Sequence, residues 1–185
     1  MGRPRSGKRK YRYHNMKTVN YDFTLRAFLA NKNAVNQVSV TSEPYLAMKT
    51  GAKVKWTIIG ASGFNPYSNV VFTTEQEIQQ HPAVVRAFVK ATLQGWRTYL
   101  KNPVPTNNYV RTANGSKNYP LTLDAMQFDV AQSRPLILGG DAARGGIGVM
   151  SMARWAALKQ QLSSIGVKQD KVAIKTVFTT AFLLW

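Results

Sequence analysis

The clearest pattern in the chain lies between residues 82 and 101. Val84, Val85, Phe88, Val89, Leu93, Trp96 and Leu100 recur at helical spacing, which puts them on one side of a helix. Pro82 suits its first turn, where a missing amide costs nothing. Pro103 and Pro105 end it. Just upstream, Thr74-Glu75-Gln76-Glu77 has the form of a capping box opening a short helix to about Gln80. The Thr74 hydroxyl would accept from the amide of Glu77, and the Glu77 side chain would bond back. The same reasoning predicts a helix at 106–114, stopped by Gly115, and one at 121–133, with Leu123, Met126, Phe128 and Val130 apolar. A last long helix begins after Ser151, carries Trp155, Leu158, Leu162 and Ile165 in register, and stops at Gly166. Residues 135–147 form a Gly-rich loop.

Other segments carry strand character. Thr18–Phe28 alternates loosely and opens with a strand, and 29–36 is a short helix or turn. Val38–Thr41 is a short β-branched strand. Pro44 lacks a donor, so a ladder stops there. Tyr45–Thr50 reads as a helical turn ended by Gly51. Val54–Gly60 is nearly continuous in apolar character and reads as a second, buried strand. A loop follows at 61–68, with Gly63 and Asn65-Pro66 as turn formers. Asn69–Thr73 is the third strand. Residues 172–184 are extended or loop-like, anchored by Phe178 and Phe182. A few strands followed mostly by helices make an α/β layout.

Composition narrows the function. With 185 residues the chain can form one domain or two small lobes, and 44% hydrophobic content argues against full disorder. The absence of cysteine excludes a disulfide framework, a zinc–cysteine site and a cysteine nucleophile. The formal net charge is +17. Residues Met1–Lys17 hold seven of the cations and no acid, which leaves +10 over the rest. This basic segment is either a nucleic-acid-binding arm, with Tyr11 and Tyr13 to stack on bases, or a solvated extension. Arg86, Lys90, Arg97 and Lys101 fall mostly off the apolar stripe and read as a solvated face. No run is long enough to cross a membrane. No apolar stretch follows the basic start, so no signal peptide is expected, and a chain made as written would stay in the cytoplasm.

Candidate chemistry is sparse. His14 and His81 have no metal-ligand partner at useful spacing. The run Gly139–Gly148 lacks the Gly-Lys-Ser/Thr ending of a phosphate loop and reads as a turn. No nucleophile–histidine–acid arrangement is present, and eight acids are few for a carboxylate-pair hydrolase. Neither an enzyme, a metal site nor a cofactor is expected. The informative stretch is Ser42-Glu43-Pro44-Tyr45, where a strand halted by proline delivers a carboxylate and a phenol at its end. In open α/β sheets ligands bind beyond the carboxyl ends of strands. Glu43 could accept from an amino group and Tyr45 stack on a flat ring. Equally, Glu43 could cap a helix and Tyr45 fill core.

Phe28-Leu29-Ala30-Asn31-Lys32-Asn33-Ala34-Val35 and Val40-Thr41-Ser42-Glu43-Pro44-Tyr45 resemble the NMT1/THI5-like solute-binding proteins of ABC importers. The resemblance continues through Gly63–Tyr67, Phe72-Thr73-Thr74, Val84–Leu100, Gly140-Asp141-Ala142, Gly146-Ile147-Gly148, Met152–Trp155 and Phe178–Leu183. It covers residues 18 to 183 and is nearest the thiamine-pyrimidine end of the family. It implies a periplasmic-binding-protein-like, type II clamshell fold, here incomplete and matching the C-terminal half, with a helix-rich C-terminal part. On this reading 1–17 is a basic tail and 18–185 the solute-binding portion. The implied partners are a small nitrogen heterocycle or a related sulfonate or nitrate-type solute, an ABC permease subunit, and an N-terminal lobe on another chain. The implied location is extracytoplasmic. Ser42, Glu43, Tyr45, Asn65 and Tyr67 are the implied ligand-binding residues: Glu43 on a pyrimidine amino group, Tyr45 or Tyr67 on the ring, and Asn65 as a polar contact.

Overall fold

The structure, a computed structural model, describes residues 17–113, 121–168 and 171–183. Most of the basic segment, with Tyr11, Tyr13 and His14, lies outside them, as does Gly115. The described chain is helical. Its α-helices are α1 (Arg26–Leu29), α2 (Glu43–Lys49), α3 (Glu75–Gln80), α4 (Pro82–Lys101), α5 (Val104–Ala113), α6 (Leu123–Leu138), α7 (Asp141–Gly145) and α8 (Met152–Ser164). Short 3-10 turns occur at Ile59–Ser62 and Ile174–Thr176.

Local signals account for the helix starts. The Thr74 hydroxyl accepts from the Glu77 amide at 3.1 Å and opens α3. Only that half of the expected capping box forms, because Glu77 turns forward and meets His81 Nδ1 at 3.0 Å. His81 closes α3 and opens α4, whose first residue is Pro82. Thr122 and Ser151 cap α6 and α8 through the amides of Ala125 and Arg154. Gly166, at φ 89, follows the end of α8.

The core is small and draws its side chains from α2, α4, α5 and α6. Among the described residues its buried apolar side chains are Ala47, Leu93, Leu100, Met126 and Val130, besides Pro44. The buried Asn107 on α5 accepts from Tyr99 of α4 at 2.8 Å. Arg134 of α6 donates to the Leu100 carbonyl, one of the acceptors left open at the end of α4. Phe128 of α6 meets Tyr45 at 5.6 Å and Trp56 at 6.2 Å between ring centres. Gly148, at φ 91, runs against the same core; a Cβ there would sit 3.1 Å from Leu93 and 3.2 Å from Leu183.

The α/β expectation is corrected at the level of its strands: no strand forms among the described residues. Each segment has its own reason. In 18–28, Asp22 folds the chain by accepting from the Thr24 amide and hydroxyl at 3.0 and 2.7 Å, and Phe23 adopts φ 60. In 38–41, the Ser39 amide donates to Glu43 at 3.0 Å, so the segment turns into α2. Residues 54–60 run into the 3-10 turn, and Trp56, Ile58 and Ile59 are exposed, not buried. Residues 69–73 have no ladder partner among the described residues. Two helical expectations also shift. α6 continues through Pro135 to Leu138, and α7 occupies part of the expected Gly-rich loop. The α4 stripe is only half covered: Leu93 and Leu100 are buried, while Val84 and Phe88 are about three-fifths exposed, at 59% and 61%.

This division sets a prediction. Leu100→Ala should lower stability by about 2–5 kcal/mol through the cavity it leaves. Phe88→Ala should stay within about 0.5 kcal/mol of the parent. Urea unfolding followed by circular dichroism reads both, and similar losses at the two positions would contradict the placement of the core.

Candidate functional site

The five residues singled out by sequence fall into separate neighbourhoods. Glu43, the first residue of α2, accepts from the Ser39 amide at 3.0 Å and from the adjacent Ser42 hydroxyl. The Tyr21 hydroxyl stands 3.5 Å from its other oxygen. Burial first, and then the Glu43 charge, push the Tyr21 phenol up. An acid at a helix start is also favoured by the helix dipole. These bonds reach back from α2 to the residues before it, so the helix-capping alternative for Glu43 does not form among the described residues, and Oε1 has there only the long Tyr21 contact.

Tyr45 faces α6. Its hydroxyl donates to Asp124 at 2.5 Å, its ring packs on Phe128, and Lys49 lies 5.6 Å from the ring centre. Lys49 also reaches Asp124 at 3.0 Å. Hydrogen bonds from Tyr45, Thr122 and Lys49 hold the Asp124 carboxyl far below the ordinary carboxylate range.

Asn65 and Tyr67 belong to a denser cluster that joins their loop to α7 and α8. The buried Asp141, first residue of α7, accepts from the Tyr67 hydroxyl, from Ser151 Oγ at 3.0 Å and from Arg144 at 2.6 Å. The Ser151 amide in turn donates to the Tyr67 oxygen at 2.8 Å. Arg154 grips the loop: its Nε donates to the Asn65 carbonyl at 2.7 Å, and its Nη2 to Asn65 Oδ1 at 2.9 Å and the Pro66 carbonyl at 3.1 Å. The guanidinium lies 4.1 Å from the centre of the Tyr67 ring, a cation–π distance. Trp155 meets Tyr67 at 5.6 Å and stacks on Phe178 at 5.8 Å. The Trp155 indole nitrogen is buried and has no hydrogen-bond partner among the described residues.

Among the described residues, no hydrogen bond or ring contact joins Ser42, Glu43 or Tyr45 to Asn65 or Tyr67. Asp141 is held below the ordinary carboxylate range, first by the Tyr67 hydrogen bond and then by Ser151 and Arg144, against the opposing effect of burial. Both its oxygens are engaged, so it is a poor proton acceptor and a good anchor. No group of acids and histidines among the described residues is arranged to hold a metal ion. A surface hollow of about 590 Å³ lies elsewhere, between α8 and the Ile174–Thr176 turn, and none of the five residues lines it. No helix among the described residues is long and apolar enough to cross a membrane.

Sequence reasoning gave Asp141, Ser151 and Arg154 no binding role, although Ser151 was recognised as a helix cap. The available signal was Asp141 itself, a lone acid between glycine pairs in a largely apolar stretch. Such a residue is costly to bury unless something pairs with it.

The depressed carboxyls fix the sign of a pH response. A folded value below the unfolded one gives stability that is present above the unfolded value, about 3.9 for aspartate, and is lost as pH falls through the folded one. Stability should therefore fall on acidification below about pH 4. Asp141→Asn should be less stable at neutral pH and show a shallower acid limb in urea titrations. An unchanged limb would mean that Asp141 is not charged and paired in the folded state.

The family model described as NMT1/THI5 like matches residues 8–105, slightly more than half of the chain. The match starts inside the basic segment, takes in Ser42, Glu43, Tyr45, Asn65 and Tyr67, and ends in α5. Asp141, Ser151 and Arg154 lie beyond it. No curated protein and no solved structure matches the chain.

Proposed function

Because the chain belongs to the NMT1/THI5-like family of solute-binding proteins, we propose that it serves as a solute-binding component of an ABC importer. The preferred solute is a small nitrogen heterocycle of the aminopyrimidine type, with sulfonate and nitrate-type solutes as the other members of the class. The observation that carries this reading is the position of the match: residues 8–105 contain all five residues whose chemistry suits such a ligand.

The chemistry supports distinct roles. Glu43 is held at the start of α2 by Ser39 and Ser42, which among the described residues leaves Oε1 with only the long Tyr21 contact. That oxygen is the acceptor we assign to an exocyclic amino group. Tyr67 is clamped by Asp141 and Arg154, so an edge or face presented by it costs little further ordering when a ring arrives. Asn65 shares the clamp and adds polarity. A clamshell protein closes because the ligand binds the closed arrangement better. The partners of this reading are the solute, a permease subunit, and a second lobe facing these residues.

A thermal-shift panel of an aminopyrimidine, an alkylsulfonate and nitrate tests it. A ligand at about a hundred times its Kd stabilises by about 2.7 kcal/mol, and the aminopyrimidine should raise Tm most. Glu43→Gln keeps a side-chain acceptor for the helix start but removes the charge. It should weaken the aminopyrimidine at least several-fold and leave the sulfonate nearly unchanged. No shift with any of the three compounds would reject the solute-binding reading, and equal losses would reject the role of Glu43.

A further inference from the structure

The stretch Trp56–Thr74 contains no Asp, Glu, Lys or Arg over 19 residues, in a chain that is 18% charged. Trp56, Ile58, Ile59, Phe64, Val70, Val71 and Phe72 are all exposed, Phe72 at 90%. The consecutive apolar residues Val70, Val71 and Phe72 form its most exposed run. Within this stretch, the amides and carbonyls of residues 69–73 make no hydrogen bond among the described residues. A run of β-branched and aromatic residues with unpaired backbone and no charge lacks the devices that keep natural edges apart, such as an inward lysine, a proline or a bulge.

We propose that two copies of the chain pair through Asn69–Thr73, as an antiparallel two-stranded ladder about a two-fold axis. A second copy fits for two reasons. Antiparallel pairing about a two-fold is self-complementary, so one unpaired segment supplies both sides. The uncharged stretch also keeps like charges out of the contact, although each copy carries +17. That charge still opposes approach at longer range, so the pairing has a signature: salt should strengthen it by screening. A polyanion bridging two basic chains would respond in the opposite sense. The proposal is independent of the solute-binding reading, since it needs no ligand.

Analytical ultracentrifugation of the nuclease-treated, purified full chain provides the test. A reversible monomer–dimer equilibrium is expected, with a Kd falling several-fold between about 50 mM and about 500 mM NaCl. Phe72→Lys removes no folded-state packing of consequence, since that side chain is almost wholly exposed. It should weaken the dimer at least tenfold without moving the urea midpoint. Val71→Pro, at a position whose amide has no backbone partner among the described residues, should do the same by removing a ladder donor. A monomer at every concentration and salt overturns the pairing and leaves the stretch to a chain of different sequence. So does association that both variants leave intact, or that rising salt disperses.

Discussion

The Asp141 carboxylate is the point at which three otherwise separate stretches of chain are held together. Burying a charged carboxylate is costly unless donors replace the water it loses. Here Tyr67, Ser151 and Arg144 supply them, and Arg154 adds the grip on Asn65 and Pro66. The consequence is directional. The 65–67 loop cannot leave α8 without uncovering a buried negative charge and stranding the Arg154 donors. The Tyr67–Trp155–Phe178 ring sequence adds a second tie between the loop, α8 and the C-terminal segment. A loop of that composition would otherwise be among the more mobile parts of the molecule.

The helices were legible in the sequence because their determinants are local. Thr74, Pro82, Thr122, Ser151 and Gly166 act within a turn of where they stand. Strands have no such independence, since a β-branched run becomes one only when another backbone takes up its amides and carbonyls. Val38–Thr41 loses its chance to the start of α2, where the Ser39 amide is taken by Glu43. Asn69–Thr73 meets no acceptor among the described residues. Its composition favours a strand, but a strand also needs a second backbone, and composition does not supply one. α4 shows the same limit in helical form: periodicity places Phe88 and Leu93 on one apolar stripe, yet Leu93 is buried and Phe88 exposed, which only the packing of other elements decides.

At the site, sequence supplied residue types and the structure supplied partners. Asn65 and Tyr67 have polar and aromatic chemistry suited to a small ligand, and they lie together in the Asp141–Arg154 cluster. By type alone Tyr45 suits either stacking on a ligand or packing, and in the structure it contacts Phe128 and Asp124. Asp141 and Arg154 stand more than seventy residues from the loop they hold. No spacing rule reaches across such a separation, and only the packing of α7 and α8 against 65–67 makes the pairing apparent.

The clamp and the uncharged arms bear on each other. Arg154 fixes the centre of the 56–74 stretch, while the segments on either side carry exposed apolar side chains and few backbone partners. A fixed centre lowers the entropy that those arms lose when they meet a partner, because their ends are already positioned. The same clamp keeps Arg154, the cation of α8 nearest the stretch, turned inward on carbonyl oxygens, Asp141 and the Tyr67 ring. The loop is therefore held by a cation without presenting one. A chain with a large positive excess in this way keeps a charge-free surface on which short-range pairing can outweigh screened repulsion.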